Sequence, residues 1–278
     1  MHRARQFFTL AAVLLGLSHT PAATPIPCRY RDGLIWLKVV VAGKSEPLNF
    51  LLDSGAGASV LDLAAARRLG LRLGARQTVQ GVEGRSAAFR IDGLAADVVG
   101  IPIPRSMLAL DLRPVSEDCG ERIDGLLGMD FFRERIVQID YAAQKIRLLS
   151  RSELPATGAQ ILPLARRNDA LCVAVAVDGN APEWVRFDTG CSAAFEWVVS
   201  DAKRQRLNFT SIAAAAGSPR FIHLPITLGT ECCANVTTGL HDHAMFAGES
   251  GLLGNGLLAR FGVTVDAARS RLLLSRSK

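Results

Sequence analysis

The sequence predicts an all-β protein with a few short helices, built from two similar halves that are related by a pseudo-twofold axis. Short runs of alternating apolar and polar residues indicate strands, and 25 glycines and 12 prolines suit many tight turns. The third observation is a pattern that occurs twice along the chain. With 49% hydrophobic residues in a chain of 278, there is enough apolar material for one large domain or two modest lobes.

The repeat begins with two pairs of predicted strands. Leu34 to Val41 and Leu48 to Leu52 alternate as strands do, are joined by a tight turn, and lead into Asp-Ser-Gly. Leu171 to Val177 and Trp184 to Phe187 repeat this arrangement and lead into Asp-Thr-Gly. A single Asp-Ser-Gly is ordinary turn chemistry. Two copies, each preceded by an apolar run, indicate more than a turn.

Each half also contains a Gly-Leu-Leu-Gly block, at residues 125–128 and 251–254, followed by further apolar runs. Because order, spacing and residue types all repeat, we predict an internal duplication. The predicted lobes are residues 24–150 and 165–278. Residues 151–164, which begin polar and turn-rich, are predicted to link them.

Two helices and a hairpin are predicted beside these strands. Leu61 to Leu69 and Phe195 to Leu207 are the helix candidates, each following an Asp-Ser/Thr-Gly loop. Residues 80–85 form a glycine-rich turn between two strand-like segments, around residues 78–79 and 87–91.

The N-terminus has the pattern of a signal peptide over residues 1–23. A short basic region precedes Phe7 to Leu17, an apolar run that is too short for the roughly 20 residues of a membrane span, and small residues follow as far as Ala23. We therefore expect an exported protein, periplasmic or secreted from a bacterial cell, with no stable membrane insertion once the signal is removed. An uncleaved N-terminal anchor is the alternative.

Export changes what the cysteines predict. An even number in an oxidising compartment suggests some disulfides, although the sequence leaves their connectivity open. The six are Cys28, Cys119, Cys172, Cys191, Cys232 and Cys233.

Several classes of function are excluded by charge and motif. The formal net charge is +6, but the basic residues are scattered and are not interleaved with aromatics, so no nucleic-acid partner is expected. Residues 241–243 (His-Asp-His), near His223 and the adjacent cysteines 232 and 233, fit no common zinc spacing, and a polar loop is favoured over a metal site. The sequence has no dinucleotide fingerprint and no Gly-x-Ser-x-Gly elbow. We expect neither a metal nor a cofactor.

Residues 50–56 (Phe-Leu-Leu-Asp-Ser-Gly-Ala) resemble the signature of the retropepsin and pepsin aspartic peptidase clan, and residues 184–190 resemble it again. The two Gly-Leu-Leu-Gly blocks resemble the element that follows the catalytic loop in each lobe of that clan. The chain is most similar to bacterial retropepsin-like proteins, here with both lobes in one chain. The resemblance implies a two-lobed acid-protease fold with the catalytic aspartates Asp53 and Asp188.

This pair of aspartates suits hydrolysis of an amide without a metal or a covalent nucleophile. Such a reaction needs a general base for water and a general acid for the developing charge. Two carboxyls about 3 Å apart cannot both ionise cheaply, so they share one proton and divide these roles, as is known for aspartic peptidases. Since Asp53 and Asp188 lie in one chain, a monomer is sufficient for the active site; pairing of like halves between chains is the alternative.

The resemblance also implies supporting roles around each aspartate. Ser54 and Thr189 are expected to brace the two loops against each other by hydrogen bonds. Gly55 and Gly190 allow a tight backbone approach. The remaining support positions are Ala56 and Cys191, which offer no hydroxyl to the carboxylates.

Two departures from the clan affect the predicted chemistry. Because Ala56 and Cys191 remove two potential donors, the pKa values of the dyad should rise, and activity should persist toward mildly acidic or near-neutral pH. We interpret Cys191 as a small residue rather than a disulfide partner or a redox-sensitive position.

The second departure is in the candidate flap, at the tip of the glycine-rich hairpin, which includes no aromatic residue. The flap candidates are Gly81, Val82, Glu83 and Gly84.

The predicted function is an aspartic endopeptidase that acts on a peptide or protein lying extended between the lobes. The alternative is an envelope peptide-binding protein of the same fold with weak or no turnover. The missing flap aromatic and Cys191 leave room for this alternative.

Overall fold

The computed structural model describes residues 24–82, 84–154, 158–199 and 220–276. The predicted signal peptide lies outside the described residues. In these described ranges strands dominate and four short α-helices occur, so the predicted fold class of an all-β protein with two lobes is confirmed. Within the described part of the chain, no helix is long and apolar enough to cross a membrane.

Thirteen strands and three short helices form the first half of the described chain. The helices are α1 (Leu63–Arg68), α2 (Arg113–Asp118) and α3 (Met129–Phe132). The strands are β1 (Ile26–Pro27), β2 (Arg29–Arg31), β3 (Leu34–Val41), β4 (Leu48–Leu52), β5 (Val60–Asp62), β6 (Arg76–Gly81), β7 (Gly84–Ile91), β8 (Ala96–Val98), β9 (Ile101–Pro102), β10 (Met107–Leu110), β11 (Gly125–Leu127), β12 (Ile136–Asp140) and β13 (Lys145–Leu149).

Nine strands and helix α4 (Asn255–Leu258) form the second half of the described chain, with 3₁₀ turns at Arg151–Glu153 and Ala267–Arg269. The strands are β14 (Gln160–Arg167), β15 (Ala170–Val177), β16 (Glu183–Phe187), β17 (Phe195–Val198), β18 (Arg220–Leu228), β19 (Glu231–His241), β20 (Gly251–Leu253), β21 (Phe261–Asp266) and β22 (Arg271–Arg276).

The same strand pairings occur in both halves. In the first, β3 pairs with β4, β4 lies parallel to β11, and β11 pairs with β5. In the second, β15 pairs with β16, β16 lies parallel to β20, and β20 pairs with β17. The second sheet also closes on itself through a pairing of β15 with β18. The two halves therefore present equivalent central strands.

A third group of strands joins the halves in the order β1-β13-β12-β21-β22-β14. The junction is the antiparallel pair β12–β21, in which Val137 lies opposite Val265. Strand β14 begins at Gln160, within the segment predicted as a linker, and pairs with β22. The strands of this sheet therefore connect the two lobes by backbone hydrogen bonds as well as by the chain itself.

One apolar core runs through both halves. It contains aromatic side chains from the central strands of each half, including Phe50 and Phe187, which are fully buried. A smaller apolar cluster in the first half includes Leu51 and Ile123. Burial of this kind is the main favourable term in folding. The strands that carry the aspartates are thus fixed at the centre of the molecule.

Of the two predicted helices, the first is found in shortened form and the second is partly wrong. Helix α1 covers Leu63–Arg68, because Val60–Asp62 continues as strand β5 and Asp62 then caps the helix by accepting from the Ala65 N–H. Residues Phe195–Val198, predicted as the start of a helix, form strand β17 instead. Alternate residues of β17 are buried, and β19 and β20 flank it. Residues 200–207 of that prediction lie outside the described residues.

Candidate active site

Asp53 and Asp188 follow directly after equivalent central strands. Strand β4 ends at Leu52, and the Asp53 N–H donates to the Leu127 carbonyl at 2.9 Å. Strand β16 ends at Phe187, and the Asp188 N–H donates to the Leu253 carbonyl at 3.0 Å. The Gly-Leu-Leu-Gly blocks form β11 and β20, the strands that accept these bonds. Each block therefore fixes where its aspartate leaves the sheet.

The two aspartates meet across the junction of the halves, and their carboxyls hydrogen-bond each other. The glycines that follow them make this approach possible. A methyl group added at Gly55 would collide with the Asp188 carboxyl, and one added at Gly190 would collide with the Asp53 carboxyl. Each glycine thus packs against the aspartate of the other half, as an arrangement with twofold symmetry requires.

The predicted bracing by Ser54 and Thr189 is present in the geometry, and both side chains are fully buried. The Ser54 N–H donates to Thr189 Oγ1 at 2.9 Å, and the Thr189 N–H donates to Ser54 Oγ at 3.0 Å. Each hydroxyl then donates to the carbonyl before the opposite aspartate, Ser54 to Phe187 and Thr189 to Leu52, both at 2.8 Å. These four bonds hold the two loops in one fixed orientation.

A second pair of contacts follows the same symmetry. The turn before β3 places Gly33, at φ 75°, where a methyl group would collide with Ser192 in the loop of the other half. The turn before β15 places Asp169, at φ 58°, against Gly57 in the loop of the first half. Each turn therefore packs against the loop of the opposite half.

Burial raises the pKa of both carboxyls. For Asp188 burial is the largest cause and the negative charge of Asp53 the next, and together they raise its pKa to about 8. Burial also raises the pKa of Asp53, but N–H donors from Ala56 and Gly55 and the bond from Asp188 oppose the rise. Asp188 in turn accepts from the Gly190 N–H at 2.8 Å, which opposes the rise of its pKa. The direction agrees with the sequence prediction, but the main cause is burial rather than the missing hydroxyls.

Arg186, which sequence reasoning missed, lies two residues before Asp188 and is 2% exposed. Its Nε and Nη2 donate to the two carboxylate oxygens of Glu249, each at 2.7 Å, and its Nη1 donates to the Gly55 carbonyl at 2.6 Å. The guanidinium carbon lies 3.4 Å from the ring centre of Phe246. A charged residue within an apolar strand beside an aspartate was the available signal.

Asn255, the first residue of α4, was also missed, and its side chain joins the halves. Its Nδ2 donates to the carbonyls of Gly33 at 2.8 Å and Thr189 at 2.7 Å, and its Oδ1 accepts from the Tyr141 hydroxyl at 2.8 Å. The signal was a polar residue after the second Gly-Leu-Leu-Gly block, where the first half has Met129.

The other predicted support residues are Ala56 and Cys191. The Ala56 N–H donates to Asp53 Oδ1 at 3.0 Å, so this residue acts through its backbone. Burial, followed by the charge of Asp188, raises the pKa of the Cys191 thiol to about 12. The thiol is therefore neutral over the physiological range.

The expectation of disulfides is not met, because all six cysteines are free. Burial raises the pKa of the Cys28 thiol to about 11 and that of Cys172 to about 12, so the thiolate needed for disulfide exchange is scarce at these sites. Cys232, by contrast, is exposed on β19.

The flap candidates lie at the tip of the β6–β7 hairpin, where Gly81 pairs with Gly84 and Val82 is 52% exposed. Glu83 lies outside the described residues. In the described part of the chain, no cluster of His, Cys, Asp or Glu has the arrangement of a metal site. His241 Nε2 lies 2.5 Å from the Glu196 carboxylate.

A family model described as aspartyl protease matches residues 37–131. The matched segment contains Asp53, Ser54 and Gly55 together with the first Gly-Leu-Leu-Gly block. No curated protein matches the chain with significant similarity.

Proposed function

We propose that the chain is a retropepsin-like aspartic endopeptidase with Asp53 and Asp188 as its catalytic pair, because a family model described as aspartyl protease matches residues 37–131, which contain Asp53. The observation that carries this proposal is the contact between the carboxyl of buried Asp188 and that of half-buried Asp53, one from each half, which hydrogen-bond each other. The glycines and hydroxyls of the two loops support it by fixing that contact.

The difference between the two carboxyls assigns their roles. Asp53, whose Oδ1 accepts a hydrogen bond from the Ala56 N–H, is the base that removes a proton from water. Asp188, whose pKa is raised to about 8, donates its proton to the carbonyl oxygen of the scissile amide as the water oxygen bonds to the carbonyl carbon. The product is a neutral tetrahedral diol.

Breakdown of the diol reverses these proton transfers. Asp53 gives its new proton to the amide nitrogen, the carbon–nitrogen bond breaks, and Asp188 takes back a proton from a diol hydroxyl. The products are an amine and a carboxylic acid, and the pair returns to its singly protonated state. No cofactor takes part in this sequence.

We propose a peptide or protein in extended conformation as the substrate, bound between the lobes by backbone hydrogen bonds. The β6–β7 hairpin is the candidate flap. One chain supplies both aspartates, so a monomer is sufficient. The basic, apolar and small-residue segments of residues 1–23 support export, to the periplasm or the medium, which fractionation of a tagged chain would test.

The test is cleavage of an unfolded protein by the purified chain at several pH values. We expect wild-type cleavage near neutral pH and its loss in both Asp53→Asn and Asp188→Asn. Asp118→Asn, on the exposed face of α2, is the matched control and should cleave at the wild-type rate. A folded wild-type protein that binds peptides without cleaving them across the pH range would overturn the proposal and favour the peptide-binding alternative.

A further inference from the structure

The second half differs from the first at one pair of buried positions beside the dyad. Two residues before the aspartate, the first half has Leu51 and the second has Arg186. Two residues before the Gly-Leu-Leu-Gly block, the first half has Ile123 and the second has Glu249. The first pair belongs to one apolar cluster, whereas the second forms a salt bridge whose side chains are each 2% exposed.

Strand register shows that these positions are equivalent. Leu51 lies opposite Leu126 in the β4–β11 pair, and Arg186 lies opposite Leu252 in the β16–β20 pair. Breaking a buried ion pair by removing one partner typically costs several kcal/mol, whereas apolar residues of similar volume can replace both partners at little cost. The charge at Arg186 is therefore not required by the fold, since an apolar pair does the same packing in the first half.

The guanidinium reaches one carboxyl of the dyad through a single peptide group. Arg186 Nη1 donates to the carbonyl of Gly55 at 2.6 Å. That carbonyl belongs to the same peptide group as the N–H of Ala56, which donates to Asp53 Oδ1 at 3.0 Å. Hydrogen bonds in such a chain polarise one another, so a charged donor at one end strengthens the bond at the other. Leu51 has no donor for the equivalent peptide group beside Asp188.

We propose that Arg186 is a positioning residue that makes Asp53 the ionised member of the pair and leaves the shared proton on Asp188, acting through the Gly55–Ala56 peptide. This inference rests on the proposed function and adds the reason why the two aspartates divide their roles in one direction. Glu249 balances the charge of Arg186, and Asn168 in turn donates to Glu249 at 2.8 Å.

The groups around the pair are few. The charge that acts on Asp53 is that of Arg186, beside hydrogen bonds from Asp188 and from the N–H groups of Ala56 and Gly55. The charges of Asp53 and Arg186 act on Asp188, which also accepts from the Gly190 N–H at 2.8 Å. Cys191, in the loop after Asp188, is neutral because its pKa is raised to about 12. The positive charge of Arg186 lowers the pKa of both carboxyls, while its hydrogen-bond path leads to Asp53 alone.

The decisive variant replaces both charges, Arg186→Met with Glu249→Leu, which keeps the volume and leaves no buried charge unpaired. Met also packs well against an aromatic ring such as Phe246. Without the guanidinium the pKa of Asp53 should rise, so the acid limb of the kcat/KM profile should move to higher pH and kcat should fall about tenfold. Leu51→Met, at the equivalent position in the first half, is the matched control.

Two single variants give opposite or intermediate results. Glu249→Gln removes the balancing negative charge but not Arg186, so the acid limb should move to lower pH. Arg186→Lys keeps the charge and can still bond the Gly55 carbonyl, so it should lie between the wild type and the double variant. A packing role alone would not shift the profile in two directions. These variants also keep the test decisive if the double variant does not fold.

A titration separates this inference from the proposed function. Aspartate labelled at its carboxyl carbon, with signals assigned by Asp53→Asn, reports the two pKa values by NMR without any turnover. We expect Asp53 to titrate below Asp188 in the wild type, and the separation to shrink in the double variant. An unchanged separation, with an unchanged acid limb, would overturn the role of Arg186 even if the wild type is an active peptidase. If the protein is inactive but the pKa values of Asp53 and Asp188 show the expected separation, and the double variant reduces it, the role of Arg186 stands while the proposed function fails.

Discussion

Replacing Asn255 should destabilise the contact between the two halves while leaving both aspartates in place. Its side chain is fully buried and makes three hydrogen bonds, to Tyr141, Gly33 and Thr189. Tyr141 and Gly33 belong to the first half, and Thr189 belongs to the catalytic loop of the second. Asn255→Met installs the residue type found at the equivalent position, Met129, and removes all three bonds at similar volume.

The magnitude follows from the number of partners left buried without a bond. An unsatisfied buried polar group costs about 1–3 kcal/mol. Three such groups remain in Asn255→Met, so the free energy of unfolding should fall by about 3 kcal/mol or more, against a typical total of about 5–15 kcal/mol. Tyr141→Phe removes one of the three bonds and leaves only Asn255 Oδ1 without this donor. Its loss should be about 1 kcal/mol.

Urea unfolding followed by circular dichroism measures both losses on one scale. Tyr141→Phe is the internal reference, because it tests one of the three bonds alone. An Asn255→Met variant that is destabilised no more than Tyr141→Phe would refute the role given to the bonds of Asn255 with Gly33 and Thr189. That outcome would mean that the loops find other partners for the carbonyls of Gly33 and Thr189.

Two further predictions concern the loops and the dyad. Thr189→Val removes the hydroxyl that accepts from the Ser54 N–H and donates to the Leu52 carbonyl, so the free energy of unfolding should fall by about 2 kcal/mol or more and cleavage should be lost. Thr238 is equally buried, but Thr238→Val loses only one bond, to the carbonyl of Val236 in its own strand, and should cost about 1 kcal/mol. Equal losses in urea unfolding would contradict this expectation. Because the pKa of Asp188 is raised from 3.8 to about 8, the folded state binds more protons than the unfolded state between these values, so the free energy of unfolding should fall as pH rises through this window. Asp188→Asn should flatten that slope, and a slope that persists would show that another group causes it.

The central features of the fold could be predicted because they depend on local patterns. Period-two alternation in residues 34–41 and 171–177 indicated strands, and β3 and β15 form there. The two Asp-Ser/Thr-Gly triplets, each after an apolar strand, indicated the loops that the structure brings together at Asp53 and Asp188. Repetition made this possible, since one triplet alone is common in turns.

What the sequence could not predict depends on partners far along the chain. Phe195–Val198 is a strand because β19 and β20 supply hydrogen bonds on both sides. The residues of that segment do not by themselves indicate these two partner strands. From sequence alone Arg186 has the pattern of a surface charge, because its partner Glu249 lies 63 residues later in the chain. A buried ion pair is recognisable only when both partners and their burial are known.

The structure separates what the symmetry of the two halves fixes from what it leaves open. The bonds of Ser54 and Thr189 and the packing of Gly55 and Gly190 are the same in both directions, and they set the distance and orientation of the two carboxyls. In a fully symmetric site the shared proton could lie on either carboxyl, so each could act as the acid or as the base. A fixed division of these roles must therefore come from residues outside the repeat. Of the described residues beside the pair, Arg186 is the one whose charge has a hydrogen-bonded path to a single carboxyl.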